Sequence, residues 1–322
     1  MCFWTAGINI TDQETYLQKP YLTYRAFLQQ KYSQRIQKIS IDAGFSCPNR
    51  DGSKGKGGCT YCVPRSFTPA YVQAVQSVSE QLEKGKVLLR KRYKPDAYIA
   101  YFQSFSNTYA ELSKLKELYL EALADREVVG LAIGTRPDCV DDEKLDFIAG
   151  LSQQYDVTIE YGLESSHNIT LERINRKDTV ESFKRAVNST AKRGIQVGAH
   201  VILGLPGETR KMMMETARFL AGLPIQFVKI HHLHLVKGTL LAKEYRNNSF
   251  PLFSLNDYLD HAAEFIRNLR HDMVLQRVVG ETHPRHLVGP NWGLRSYEVA
   301  SRLEEMMIQK GWRQGDLFPH NP

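Results

Sequence analysis

The sequence of 322 residues predicts an α/β fold, a partial (βα)6 TIM-like barrel with an N-terminal arm and a C-terminal α+β cap. Strand-like and helix-like segments alternate strictly through six units, which predicts a parallel sheet with right-handed crossovers. Alternation alone also allows an open, doubly wound sheet. The barrel is favoured because polar clusters follow the strands at their carboxyl ends, where βα barrels keep their active sites. No Gly-x-Gly-x-x-Gly follows the first strand, which disfavours a dinucleotide-binding sheet.

The predicted strands are short segments in which apolar residues alternate with polar ones or form brief runs. They lie at 36–42, 97–103, 128–133, 156–163, 195–203 and 226–233. The predicted helices between them lie at 75–92, 109–124, 141–153, 179–193 and 208–221. Leucines recur at near-helical spacing from Leu112 to Leu120, and Gly194 is a typical helix C-cap. These elements place the predicted barrel at 35–249.

Two segments flank the predicted barrel. Residues 1–34 read as a basic, tyrosine-rich arm that ends in a short helix and either docks on the barrel or contacts nucleic acid. Residues 250–322 predict a cap, with helices at 254–270 and 296–310 and a strand at 273–280. The cap carries Arg285, Trp292 and Arg295, a set that could stack a base and contact phosphate or could belong to a packed linker.

The composition describes a chain with a sizeable core and a basic surface. Hydrophobic residues make up 42% of the sequence, and 42 basic against 35 acidic residues give a net charge of +7. A positive surface suits a polyanion such as RNA, although the signal is weak. No apolar run is long enough for a membrane span, and the first residues lack the pattern of a signal peptide. We therefore expect a protein without membrane association. We expect it in the cytoplasm, where thiols stay reduced.

The chemistry is concentrated in a cysteine loop directly after the first strand. Cys47, Cys59 and Cys62 stand within sixteen residues, whereas Cys2 and Cys139 are isolated. A disulfide framework would use an even number of spread cysteines, so the trio indicates a metal-bound cluster. Three sites remain open on this pattern alone: an iron–sulfur cluster with one iron free for a cofactor, a structural zinc with a remote fourth ligand, and a Cys-x-x-Cys redox pair.

Unusual residues also follow the other five predicted strands. They are Gln103-Ser104-Phe105-Ser106-Asn107, Thr135-Arg136-Pro137-Asp138, Gly162-Leu163-Glu164-Ser165-Ser166, Gly204-Leu205-Pro206-Gly207-Glu208 with His200 before it, and the group His231, His232 and His234. Because the carboxyl ends of parallel strands meet at one edge, we expect these clusters to face the cysteine loop. The three histidines could bind a second metal, contact substrate or pack in the core. Cys139 is interpreted as a buried structural thiol.

These residues together resemble the radical S-adenosylmethionine (SAM) superfamily across about 35–245. The resemblance rests on the three cysteines, on the Gly-Leu-Glu-Ser-Ser segment with Arg176, and on Gly-Leu-Pro-Gly-Glu-Thr at 204–209. The block CPNRDG…GGCTYC and the segment GTRPDCV at 134–140 are similar to a bacterial branch related to the Elongator catalytic subunit. The first cysteine gap of eleven residues is the long form found in that branch. On this resemblance we expect the radical part of the Elongator chemistry without its acetyltransferase part.

The resemblance implies two cofactors. Cys47, Cys59 and Cys62 would ligate three irons of a 4Fe–4S cluster, and the fourth iron would bind SAM. Reductive cleavage of SAM would give a 5′-deoxyadenosyl radical that abstracts a substrate hydrogen. A flavodoxin- or ferredoxin-type protein would supply the electron.

The resemblance also implies cofactor-binding side chains. Tyr61 would lie beside the nucleoside, Glu164 would hold the ribose hydroxyls, and Arg176 would hold the methionine carboxylate. His200 would line the adenosine site. The pair Gln103-Ser104 stands where the family usually has Gly-Gly-Glu, so its part in binding the amino group is open. Glu164 could instead cap a helix or form a core ion pair, and Arg176 could form a loop salt bridge.

The predicted activity is modification of tRNA at the wobble uridine side chain. In its concrete form, the enzyme removes the carboxymethyl group of carboxymethylaminomethyluridine and leaves aminomethyluridine. Two alternatives stand beside it: a radical enzyme acting on a small metabolite, and a non-catalytic RNA-binding module stabilised by zinc.

Overall fold

The computed structural model describes residues 19–64, 71–72, 76–247 and 250–319. The first eighteen residues of the predicted arm, including Cys2, lie outside the described residues, as do the last three residues of the predicted cap.

The described strands agree closely with the predicted ones. They are β1 Ile36–Ile41, β2 Ala97–Phe102, β3 Val128–Thr135, β4 Asp156–Glu164, β5 Gln196–Leu203, β6 Phe227–His232, β7 Leu235–Val236, β8 Val274–Arg277 and β9 Leu287–Gly289. The described helices are α1 Tyr24–Tyr32, α2 Val78–Tyr93, α3 Leu112–Leu123, α4 Asp142–Ser152, α5 Asn168–Arg173, α6 Val180–Lys192, α7 Arg210–Ala221, α8 Leu240–Asn247, α9 Leu255–Arg267 and α10 Ser296–Gln309. A short 3₁₀ helix spans Pro137–Cys139.

The main sheet is a curled half-barrel. Its strands follow the order β1-β2-β3-β4-β5-β6-β8, and each neighbouring pair is parallel. The predicted partial barrel is therefore confirmed, and the open doubly wound sheet is excluded because no strand order reverses along the sheet.

The sheet has one strand more than the six predicted. β8 lies within the segment assigned to the cap at 273–280, yet it pairs in parallel with β6, with Phe227 opposite Val274. The strict alternation of strands and helices is interrupted in this part of the sequence, because β7 and α8 come between β6 and α9. β7 instead forms a small antiparallel pair with β9.

Helix-capping side chains fix several boundaries in the described chain. Ser77 and Glu80 form a capping box at the start of α2, and Thr209 accepts a hydrogen bond from the Met212 N–H at the start of α7. Gly194 adopts a positive φ of 76° just after α6, which glycine tolerates best. The residues that mark the boundaries of the βα units therefore lie within a few positions of those boundaries in the sequence.

Helix α1 closes the amino end of the half-barrel. Tyr24 and Phe27 make edge contacts with Phe227, at ring distances of 5.7 and 5.2 Å. The Leu275 N–H of β8 donates to the Leu22 carbonyl at 2.8 Å. An apolar cluster of Leu28, Ile36, Ala97, Ile99 and Ala132 lies beneath this helix. The described part of the arm therefore docks on the barrel and leaves the carboxyl edge open.

None of the described helices is both long and apolar enough to cross a lipid bilayer.

Candidate functional site

The cysteine loop folds tightly at the carboxyl end of β1. The Arg50 N–H donates to the Cys47 carbonyl at 2.7 Å, and the Cys62 N–H donates to the Cys59 carbonyl at 3.0 Å. Gly58 has a φ of +86°, and a Cβ there would lie 2.7 Å from the Arg50 Nε. Glycine at this position lets the Arg50 side chain cross the loop, where its Nη2 donates to the Cys62 carbonyl.

Cys59 is buried and faces two donors. The Asn49 Nδ2 lies 3.6 Å and the Arg176 Nη1 lies 3.9 Å from the Cys59 sulfur. The Asn49 amide also donates to the Asn175 carbonyl at 2.6 Å. An amide donor and a guanidinium beside a buried sulfur could offer hydrogen bonds and positive charge to a metal-bound thiolate.

The other two cysteines lie near Cys59. Burial is the largest of the causes that raise the pKa of the Cys62 thiol to about 11; the neighbouring Cys59 and Cys47 act in the same direction and Arg50 opposes them. The hydrogen bond from the Cys62 N–H to the Cys59 carbonyl keeps these two cysteines adjacent in the loop. A bound metal would reverse the effect, because coordination deprotonates a thiol.

Tyr61 connects the cysteine loop to the end of β4. Burial raises the pKa of its phenol, and negative charge on Glu164 and Cys59 adds to the shift. The structure thus places Tyr61, Glu164 and Arg176 beside the cysteines. Their roles toward a cofactor stay predictions.

Glu164 sits at an irregularity in the sheet. The register between β4 and β5 shifts between Gly162 and Glu164, and Glu164 has a positive φ of 69°. Its Oε1 lies 3.8 Å from the Arg176 Nη2, which donates to the Gly162 carbonyl at 2.7 Å. Non-glycine residues avoid the left-handed region, so the fold holds Glu164 there at a cost on the order of 1–3 kcal/mol.

The segment Thr135-Arg136-Pro137-Asp138 supports the loop that carries Arg176. Arg136 is buried, and its guanidinium donates to the carbonyls of Arg176 and Lys177, at 2.9 Å each. Asp138 accepts two bonds from Arg136 at 2.8 Å and contacts the Lys54 Nζ at 2.6 Å. Arg136 and Asp138 therefore join the cysteine loop to the loop after β4, a role that their sequence spacing did not show.

The turn after β2 has an unusual backbone. Ser104 and Phe105 adopt consecutive positive φ values of 73° and 63°. The Asn107 Nδ2 holds this turn by donating to the carbonyls of Ser104 and Gly134, at 3.1 and 2.7 Å. The Gln103 Nε2 donates to the Ser40 hydroxyl at 2.7 Å. Two left-handed residues in succession reproduce the backbone that glycines favour, and this is the position where the sequence departs from Gly-Gly-Glu.

His200 lies deeper in the barrel than the cysteine loop and pairs with a buried acid. Its Nε2 lies 3.0 Å from an oxygen of Glu160, whose side chain is only 1% exposed. Glu160 also pairs with Lys38 and Lys229. Lys38, Glu160 and Lys229 are not among the site residues predicted from the sequence. The sequence feature that could have identified them is a charged residue in the middle of an otherwise apolar strand.

The three histidines at the end of β6 do not converge. The His232 ring contacts the His234 ring at 4.0 Å and stacks on Trp292 at 4.2 Å, while His231 approaches His200 at 5.9 Å. Trp292 donates to the Phe253 carbonyl at 3.1 Å. The described residues contain no group of three or more His, Cys, Asp or Glu side chains that could hold one metal ion. Trp292 has the contacts of a packing residue.

Family comparison agrees with this geometry. The profile of the radical SAM superfamily matches residues 50–220, and the profile of the radical SAM C-terminal domain matches residues 225–309. The chain belongs to the radical SAM superfamily.

Radical SAM relatives cover nearly the whole chain. The uncharacterized protein MJ0486 of Methanocaldococcus jannaschii is 37% identical over 97% of this chain and 96% of its own length. The protein YhcC of Escherichia coli is 36% identical over 92% of this chain and 94% of its own length. Both share the full span of barrel and C-terminal segment.

More distant radical SAM relatives are longer than this chain. The tRNA uridine(34) acetyltransferase of Methanocaldococcus infernus is 24% identical over 67% of this chain and 42% of its own length. The solved structure of the Elp3 protein of the same organism superposes with a TM-score of 0.66 at 17% identity, over 87% of this chain and 64% of that one. The structural likeness confirms the fold.

The cysteine loop fits the cluster of a radical SAM enzyme. A 4Fe–4S cluster attaches each cysteine to a different iron, so its ligands need not converge on one point as those of a single ion must. Three neighbouring thiols, a buried guanidinium and an amide facing Cys59 supply the thiolates and the compensating charge. The cofactor pair predicted from the sequence, a 4Fe–4S cluster and SAM, is confirmed as that of the family.

Proposed function

We propose that this radical SAM enzyme modifies tRNA at the wobble uridine, removing the carboxymethyl group of carboxymethylaminomethyluridine to leave aminomethyluridine. The observation that supports a radical reaction best is the convergence of the cysteine loop with the Glu164–Arg176 pair at the open edge of the half-barrel. Sequence positions more than a hundred residues apart meet there.

Each residue of the site has a role in this proposal. Cys47, Cys59 and Cys62 hold the 4Fe–4S cluster, and Tyr61, Gln103, Ser104, Glu164, Arg176 and His200 form the SAM site. When bound, the two cofactors would supply a 5′-deoxyadenosyl radical that takes a hydrogen atom from the substrate and would accept one further electron from it, a two-electron oxidation after which water releases the carboxymethyl group as glyoxylate. Arg176 lies beside both Cys59 and Glu164, so it can balance the charge of a thiolate and of a cofactor carboxylate.

Two observations support tRNA as the substrate. A relative from Methanocaldococcus infernus that is 24% identical over 67% of this chain is named tRNA uridine(34) acetyltransferase. The net charge of +7 suits binding to an RNA backbone. The same proposal includes a cytoplasmic location and a flavodoxin- or ferredoxin-type electron donor.

The cluster assignment is tested by iron analysis of anaerobically reconstituted protein. We expect about four irons and four sulfides per chain. Cys47→Ala, Cys59→Ala and Cys62→Ala should each lose the cluster. Cys139→Ala is the matched control, since Cys139 is buried but lies outside the loop. A variant that lacks Cys59 and still holds a full cluster would contradict the assignment.

The substrate is tested by comparing tRNA nucleosides from wild-type and deletion strains. We expect carboxymethylaminomethyluridine to accumulate in the deletion strain, with aminomethyluridine and nucleosides made from it lost. An unchanged nucleoside profile would remove tRNA as the substrate and favour a small metabolite. Colourless protein with one zinc per chain would favour the RNA-binding module.

A further inference from the structure

The interior of the half-barrel contains a layer of charged side chains between helix α1 and the site. β1 contributes Lys38, β4 contributes Glu160 and β6 contributes Lys229, and all three point to the inside of the sheet. Glu160 is the centre of this layer, with its side chain only 1% exposed. The family-level function described above assigns no role to either lysine.

The Glu160 carboxylate binds both lysines. Its Oε1 accepts from the Lys38 Nζ at 2.8 Å, and its Oε2 accepts from the Lys229 Nζ at 2.5 Å. Lys38 donates a second bond to the Gln276 Oε1 at 2.9 Å, and Lys229 donates one to the Tyr101 hydroxyl at 2.8 Å. An ammonium has three N–H donors. In the contacts among described residues each lysine uses two, which leaves one donor on each for a ligand.

Positive charge exceeds negative charge in this layer. One carboxylate faces two ammonium groups, and Arg277 of β8 adds a further positive charge that lowers the pKa values of Lys38 and Lys229. Burial is the largest cause in both lysines, and it lowers the pKa of Lys229 to about 7. Buried cations in excess of their counter-charges are costly, and an incoming anion would relieve that cost.

The charged layer is partly open to solvent. Tyr24 of α1 lies against the Lys38 ammonium, 4.7 Å from the ring centre to the Nζ, and closes the amino side. The side chains of Lys38 and Lys229 nevertheless remain 17% and 10% exposed. Solvent therefore reaches both lysines, and His200, which contacts the same Glu160 carboxylate, links this layer to the proposed SAM site.

We propose that Lys38 and Lys229 form a binding site for an anionic group of the substrate, a carboxylate or a phosphate, in the interior of the half-barrel. The inference rests on the proposed function and deepens it, since carboxymethylaminomethyluridine ends in a carboxylate. An anion held between the two ammonium groups fixes the substrate side chain below the site. The lysines thus select the charged side chain over an uncharged one.

The site predicts how affinity depends on pH. The charged and titratable groups around Lys229 are Lys38, Tyr101, Glu160, His200, His231 and Arg277. The pKa values of Glu160, His200 and His231 are lowered and that of Tyr101 is raised, so Glu160 stays charged and the other three neutral above pH 7. Bound anion favours the protonated lysine. Affinity should therefore be highest below pH 7 and fall as pH rises through the pKa of free Lys229.

The test measures binding of reconstituted enzyme to tRNA that carries carboxymethylaminomethyluridine and to the same tRNA with aminomethyluridine. Wild-type protein should prefer the carboxylate-bearing RNA by about tenfold at pH 6.5, with a smaller preference at pH 8.5. Lys229→Met should lose the preference. Lys211→Met is the matched control, because Lys211 is an exposed lysine on α7. A preference that survives in Lys229→Met, or one that does not change with pH in wild-type protein, would overturn the proposal.

A second measurement separates this proposal from the tRNA assignment. Calorimetric titration with N-methylglycine and with inorganic phosphate probes the site without RNA. Binding of either probe that is weaker in Lys229→Met than in Lys211→Met supports an anion site, whichever substrate is correct, and the stronger probe identifies carboxylate or phosphate. Equal binding to both variants contradicts it. If Lys229→Met instead weakens binding of SAM itself, the lysines hold the cofactor carboxylate and the substrate proposal is wrong.

If Lys229→Met fails to fold, the double variant Glu160→Gln/Lys229→Met is used in its place in the same tests. The double variant removes both members of the ion pair.

Discussion

Asp138 is a single carboxylate that stabilises two loops of the site. Burial acts to raise its pKa, but hydrogen bonds and charge from Arg136 and Lys54 outweigh burial and lower the pKa to about 2. A carboxyl group with a lowered folded pKa stabilises the fold above its unfolded pKa near 3.9. That stabilisation is lost as pH falls from about 4 towards 2.

We expect Asp138→Asn to lower the free energy of unfolding at pH 7 by about 1–2 kcal/mol, because the buried Arg136 loses its charged partner. The difference from wild-type protein should shrink as pH falls below about 4. Urea unfolding across this pH range measures it. Glu117→Gln is the control, since Glu117 forms an exposed pair with Lys114 that contributes little. Equal effects of the two substitutions would contradict the role of Asp138.

At the scale of the residue, the sequence was sufficient to predict candidate residues of the site but not the contacts between them. The cysteines and Glu164 were found from their types and spacing. The link from Arg136 to the carbonyls of Arg176 and Lys177 was not, since those atoms are forty and forty-one positions away. Backbone acceptors have no signature in the sequence, so only the folded chain shows them.

At the scale of the element, the end of β4 is shaped by the absence of a side chain at Gly162. A Cβ there would lie 2.7 Å from the Arg176 Nη2 and 2.7 Å from the Glu164 Oε1. These contacts are too short, so either group would have to move. Because Gly162 has no side chain, the Glu164 carboxylate and the Arg176 guanidinium can both lie close to its backbone.

We predict that Gly162→Ala lowers the affinity for SAM by about tenfold while the cluster is retained, because the methyl group displaces Glu164 and Arg176. Equilibrium dialysis with SAM and iron analysis measure the two effects. Gly150→Ala is the control, since a Cβ in α4 meets no atom within 4 Å and alanine favours a helix. Unchanged SAM binding in Gly162→Ala would remove this pair from the cofactor site.

Elements were predictable where short-range patterns specify them. The alternation of apolar and polar residues and the caps at Ser77 and Thr209 mark strands and helices within a few residues. β8 shows the limit of such patterns. Its segment was identified as a strand, but its place beside β6 depends on pairing across more than forty residues, which no local pattern encodes.

At the scale of the whole molecule, the excess of positive charge bears on the choice of partner. The net charge is +7, and the described N-terminal segment docks on the barrel instead of extending from it. Trp292 is packed against His232 and Tyr258 and is not available as a stacking platform. On the proposed function, RNA binding would then rely on phosphate contacts from exposed basic residues such as Arg285.

We expect tRNA affinity to fall with salt, with log K decreasing by about 0.7–0.9 per neutralised phosphate for each unit of log salt. Arg285→Ala should reduce this slope by about one phosphate. Lys84→Ala, on the outer helix α2, should leave it unchanged. Fluorescence anisotropy at several salt concentrations provides the slopes. A slope near zero in wild-type protein would contradict binding to a polyanion.

The sequence by itself determined the βα alternation, the cysteine loop and the family, because each is encoded in residues near one another along the chain. Only the tertiary structure decided that Lys38, Glu160 and Lys229 meet inside the half-barrel. They are separated by 122 and 69 positions. Whether a strand residue points to the inside or the outside depends on how the whole sheet curls, and that curvature results from the packing of all seven strands and their helices.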